Sequence, residues 1–81
     1  MRDSQGPDDV FTPADLVAHG AFVRSLAASL VRDAGHADDV AQETFAAALG
    51  RRHGSVSLRT WLATVCRNAA RKLFRGESRR A

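Results

Sequence analysis

The chain has 81 residues, a formal net charge of +3, one cysteine and five aromatic residues. That length supports one domain, near the lower limit at which a single apolar core suffices without disulfides or metal. The lone Cys66 excludes an internal disulfide, the scattered histidines have no zinc spacing, no apolar run approaches the roughly 18 residues of a membrane span, and the polar, acidic N-terminus is not a signal peptide. A cytoplasmic protein without metal or cofactor is expected.

Charge is distributed unevenly along the chain. Residues 1–50 hold three arginines against seven aspartates and one glutamate, whereas residues 51–81 hold eight arginines and one lysine against Glu77 alone. Such polarity presents the C-terminal part to a polyanion and the N-terminal part to something else.

Residues 1–11 contain Gly6, Pro7 and three aspartates with little to bury, which predicts a disordered leader. Thr12-Pro13-Ala14-Asp15 is a helix start, with Thr12 as cap, Pro13 at the first helical position and Asp15 reaching back in a variant of the capping box. A first helix is expected to run to about Arg32. Its stripe is Leu16, Val23, Leu26 and Leu30, flanked by Val17, Phe22, Ala27 and Val31. Gly20 interrupts it and marks a bend or a close helix crossing, at a cost of about 1 kcal/mol relative to Ala. His19 reads as a lone surface histidine.

Asp33-Ala34-Gly35 breaks the chain before a second helix over residues 36–49, closed by Gly50. Val40, Thr44, Ala47 and Ala48 form its packing face, with Ala41, Phe45 and Leu49 beside them. Asp38, Asp39, Gln42, Glu43 and Ala46 fall on the remaining arc. That arc is acidic and sterically open to a protein partner. The two aspartates also suit the helix N-terminus, where the macrodipole favours negative charge by about 0.3–1 kcal/mol.

Residues 51–56, Arg-Arg-His-Gly-Ser-Val, form a short basic loop in which Gly54 lets backbone approach a ligand closely. Ser57 then caps a third helix whose buried stripe is Leu58, Trp61, Leu62, Val65, Ala69 and Leu73, with Cys66 and Phe74 at the margins. Trp61 is first of all a core anchor, and base stacking is the alternative. The opposite face carries Thr60, Thr64, Arg67, Asn68, Arg71 and Arg75 along about 27 Å of helix. Guanidinium groups bind phosphates and base edges in bidentate fashion, and Asn recognises a base by paired donor and acceptor, so this inventory fits nucleic acid. Residues 77–81 form a basic tail. Nucleophile elbow, phosphate loop and HExxH are all missing, so an enzyme is not expected.

Asp38-Asp39-Val40-Ala41-Gln42-Glu43-Thr44-Phe45, followed after a basic loop by Ser57-Leu58-Arg59-Thr60-Trp61-Leu62 and Arg67-Asn68-Ala69, resembles region 2 of a bacterial sigma factor of the extracytoplasmic-function type. The resemblance covers roughly residues 14–75 and implies an all-α, three- to four-helix domain over residues 12–76. In that family the acidic helix docks on the clamp helices of the RNA polymerase beta-prime subunit, which assigns Asp38, Asp39, Gln42 and Glu43 to polymerase binding. The third helix and preceding loop recognise and open the minus-ten promoter element on its non-template strand and capture a flipped base. By position, Asn68 faces that base with Arg67 and Arg71 on the strand, and Arg52, His53, Thr60, Thr64 and Arg75 complete the DNA set. An anti-sigma factor is a further partner class.

The chain departs from the family pattern in three places. Arg52-His53-Gly54 stands where many members have Phe followed by Arg-Gly, so the aromatic wall of the base pocket is missing or replaced. Lys72 stands where an acidic residue is common. The chain holds about one domain, whereas the family ordinarily adds a helix-turn-helix domain for the minus-thirty-five element, and a shortened chain and a degenerate relative both fit. The rival functions are a generic helical DNA-binding module and a helical protein-interaction domain whose basic tail binds an acidic protein.

Overall fold

The computed structural model describes residues 10–80, with side chains through Gly76. Among these residues the chain forms four helices, α1 Pro13–Ala18, α2 Gly20–Leu30, α3 Ala34–Ala48 and α4 Leu58–Arg80. The expected small all-α bundle is what the chain adopts. α2, α3 and α4 pack on one another, and α1 packs on α2.

Local chemistry explains where each helix starts. The Thr12 hydroxyl accepts from the Asp15 N–H at 3.1 Å while the Asp15 carboxylate accepts from the Thr12 N–H at 3.0 Å, a complete capping box with Pro13 behind the cap. α3 is capped by Asp33, whose carboxylate accepts from the His36 N–H at 2.9 Å. The Asp33-Ala34-Gly35 segment is therefore the start of this helix and not a break before it. Ser57 caps α4, its hydroxyl accepting from the Thr60 N–H at 3.2 Å. Gly50, with φ of 79°, lies just past the end of α3, where a left-handed residue releases the chain into the loop.

The single first helix expected to reach Arg32 is two helices. His19, with φ −104° and ψ 9°, ends α1 and begins α2, and α2 stops at Leu30. Gly20 is buried at this bend, and a Cβ there would stand 3.0 Å from the Arg24 guanidinium, which itself lies over the Phe45 ring. Gly20 thus leaves room for an arginine that links α2 to α3. His19 accompanies the bend, its Nδ1 2.9 Å from the Asp15 carbonyl.

The core is made mostly of small residues, which lets the helices approach closely. Val23 and Ala27 meet Ala37, Val40, Ala41 and Ala48 of α3 and Leu62, Cys66, Ala69 and Ala70 of α4. Thr44, fully buried among them, donates to the Val40 carbonyl at 2.8 Å and so leaves no polar atom stranded. Burial pushes the Cys66 thiol above its usual range, with Thr44 and Arg67 acting in the opposite sense.

Three expectations about apolar residues are reversed, and one is Leu49, placed beside the packing face of the second helix and 51% exposed. Val17, placed on the flank of the first stripe, is 82% exposed, while Phe11, placed in the leader, is 1% exposed and is among the largest fully buried side chains. Phe11 enters the core because its backbone pairs with the loop after α3: its N–H donates to the Arg51 carbonyl at 2.9 Å and its carbonyl accepts from the Gly50 N–H at 3.2 Å. The rest of the proposed leader, residues 1–9, lies outside the described residues. Trp61 is only half-buried, and its ring rests on Phe11, with centroids 4.7 Å apart. The backbone of residues 77–80, assigned to a tail, continues α4, and Ala81 lies outside the described residues.

Candidate nucleic-acid interface

α3 turns its polar arc to solvent. Asp38, Asp39, Gln42 and Glu43 are all exposed, and Ala46 extends the same open surface. The opposite side of that helix is the Ala37, Val40, Ala41, Thr44 and Ala48 stripe, so core packing fixes the direction of the acidic face.

α4 does the same for the basic residues. Thr60, Thr64, Arg67, Asn68, Arg71 and Arg75 are exposed on one side, while Leu62, Cys66, Ala69 and Ala70 anchor the other. Hydroxyl chemistry narrows what the threonines can do. Thr64 already donates to the Thr60 carbonyl at 3.0 Å, and Thr60 Oγ1 accepts from the Ser57 hydroxyl at 2.9 Å. Thr64 therefore meets a ligand chiefly as an acceptor, which suits a base donor better than a phosphate. The arginines carry the positive charge of this face, in the planar guanidinium form suited to bidentate contacts.

Not every cation of the basic half serves the face. Arg59 lies over the Phe22 ring at 4.2 Å and ties α4 to α2. Lys72 donates to the Glu43 carboxylate at 3.2 Å, so the acidic and basic faces meet at this pair. Both partners are more than half exposed, and such a pair contributes at most about 1 kcal/mol.

The loop between the faces is more ordered than its composition implies. Arg52 is exposed and its backbone bridges antiparallel to Val10. His53 is half-buried, with its ring edge-on to Phe11 at 5.0 Å and its Nδ1 3.0 Å from the Val56 carbonyl. Gly54, with φ of 62°, turns the chain back toward Ser57. Arg52 stands at the position of the family's aromatic, and the residue after it, His53, carries an imidazole ring packed on a phenyl.

All twelve predicted site residues except His53 are exposed, and the structure sorts them into two faces with the loop at one end of the basic one. Sequence reasoning missed Val10 and Phe11, which brace that loop. A signal was available, since an apolar residue directly before a capping box is the position of a hydrophobic staple.

Among the described residues no group of His, Cys, Asp and Glu is arranged to hold a metal ion, and no helix is long and apolar enough to cross a membrane. A small helical bundle with one acidic and one basic exposed face is a docking domain for macromolecules. The family model described as Sigma-70 region 2 matches residues 16–80, and the chain belongs to that family. It is a non-enzymatic sigma-factor domain of transcription initiation, whose general partners are core RNA polymerase and promoter DNA. Comparison with curated proteins and comparison with solved structures each gave no match.

Proposed function

We propose that this domain is a cytoplasmic region 2 of the extracytoplasmic-function type that docks its α3 acidic face on the polymerase clamp helices and holds the non-template strand of the minus-ten element on α4. Asp38, Asp39, Gln42 and Glu43 make the polymerase contact. Arg67, Arg71 and Arg75 neutralise phosphates, Asn68 reads a base edge, and Arg52, His53, Thr60 and Thr64 border the flipped base. Extrusion costs a few kcal/mol of unstacking, which phosphate contacts and one base-edge contact together offset.

One observation supports this reading most: two exposed faces of opposite charge stand on adjacent helices of one bundle, joined at Glu43 and Lys72. A generic DNA-binding module needs only the basic face. The discriminating experiment is titration of core polymerase with the wild-type chain and with a Gln42→Ala, Glu43→Lys double variant, monitored alongside helical circular dichroism. Affinity falls at unchanged helicity if the acidic face is the docking surface. Equal affinity for the two proteins refutes the polymerase contact and leaves the generic module as the better account.

A further inference from the structure

Within the loop over residues 51–56 the His53 imidazole lies on the Val56 carbonyl at 3.0 Å and the Val56 N–H donates to the His53 carbonyl at 3.2 Å. Five of its six residues are exposed, with one glycine of positive φ just before it, Gly50, and another within it, Gly54. Ordering each residue of an exposed loop is entropically costly, so contacts from outside the loop help to select its conformation.

The selecting segment is the extended pair Val10–Phe11 ahead of α1. Val10 bridges Arg52, and Phe11 exchanges backbone hydrogen bonds with Arg51 and Gly50 at 2.9 and 3.2 Å. The Phe11 side chain adds a second restraint. It sits between the His53 ring at 5.0 Å and the Trp61 ring at 4.7 Å, so a single phenyl fixes the loop against the first turn of α4. Thr60 lies beside Trp61 in that turn, and Asn68 follows two turns later on the same helix. Phe11 therefore adds, from outside the loop, a contact between the loop and the helix that carries Asn68.

We infer that Phe11 is a positioning residue for base discrimination: the bridged Val10–Phe11 segment presets the loop so that His53 and Asn68 frame one extruded base. The inference rests on the reading of this loop as the border of the base pocket. Preorganisation of this kind raises apparent affinity by the fraction of molecules already in the competent conformation. An edge-on aromatic contact corresponds to about a two- to tenfold change in that fraction.

The test is a double-mutant cycle on the full chain bound to core polymerase, with Phe11→Leu, His53→Ala and both together. Single-stranded minus-ten oligonucleotides differing at one base report discrimination, and polymerase affinity and salt slope are measured in parallel. Phe11→Leu keeps apolar bulk and is expected to lower discrimination about two- to tenfold, leaving polymerase affinity and salt slope unchanged. In the His53→Ala background the same substitution costs less discrimination, because the Phe11–His53 contact is already gone and only the Phe11–Trp61 contact is left to weaken. In the free domain, at a temperature where circular dichroism shows both proteins folded, the Gly50 amide that bonds to Phe11 loses hydrogen-exchange protection in Phe11→Leu while the amides of α3 and α4 keep theirs, a change that loss of global stability alone does not produce. Should Phe11→Leu melt at the assay temperature, Val10→Gly replaces it, since it loosens the bridge to Arg52 from a half-exposed position. Full discrimination in the variants of this segment, or effects that simply add to those of His53→Ala, overturns the inference. If Arg52→Ala, His53→Ala and Asn68→Ala all bind every oligonucleotide as wild type does, the base pocket itself is wrong and the positioning role falls with it.

Discussion

Replacing Phe11 by alanine is the most direct test of how this fold is held together. The residue is 1% exposed, and truncating a buried phenylalanine costs about 3–5 kcal/mol through lost transfer energy and the cavity left behind. Its two ring contacts, with His53 and Trp61, place the expected loss toward the upper end of that range. A domain of this length has a total stability of about 4–12 kcal/mol, so one substitution removes a large share of it. At about 4–8 °C per kcal/mol, the midpoint of a thermal melt followed by far-ultraviolet circular dichroism falls by about 12–40 °C. Val17→Ala is the matched control: at 82% exposure it changes stability by no more than about 0.5 kcal/mol. A Phe11→Ala midpoint within about 4 °C of wild type, or a larger effect from Val17→Ala, would show that Phe11 is solvated and that the segment ahead of α1 does not pair with the loop.

On the basic face, single-stranded DNA that neutralises about four phosphates gives a log–log salt slope near −3; Arg71→Ala flattens it by less than about one unit for every sequence, whereas Asn68→Ala lowers discrimination at one base and leaves the slope intact. Equal losses from the two variants on all oligonucleotides would mean that the face binds strands without reading them. The Asp33 cap responds to acid: the His36 N–H and the nearby His36 charge hold its carboxyl below the ordinary 3.8, so it binds protons less readily folded than unfolded. Its contribution is complete above the ordinary carboxylate range and is lost as pH falls through the lowered folded value, so the melting difference between wild type and Asp33→Asn shrinks in acid; a difference independent of pH refutes a charge-borne cap. The Cys66 thiol, fully buried and pushed above its usual range, reacts with a thiol-alkylating reagent only as the domain unfolds, and labelling of the native protein at the rate of a free thiol would contradict its place in the core.

Much of this protein is decided by local chemistry that a sequence displays. The Thr12-to-Asp15 capping box, the Ser57 cap and the Gly50 stop act over three or four residues, and each forms where the residues stand. The facing of α3 and α4 is equally local, because helical periodicity separates Val40, Ala41 and Thr44 from Asp39, Gln42 and Glu43, and Leu62, Cys66 and Ala69 from Arg67, Asn68 and Arg71. The exposed residues of both faces, and with them the candidate site, were legible for that reason.

What periodicity could not supply is any contact between distant parts of the chain. Phe11 looks like the end of an unburied leader until the loop after α3 is folded back on it, forty residues later in sequence, and only then does it enter the core. The bend at His19, which divides the first helix, leaves Gly20 buried and brings Arg24 over Phe45 of α3. Lys72 reads as one more cation on a basic helix, yet α3·α4 packing turns it to Glu43 and joins the two faces. Capping and helical phase are properties of a few neighbouring residues, whereas burial and pairing depend on which surfaces the whole bundle brings together, and that is a decision only the tertiary structure makes.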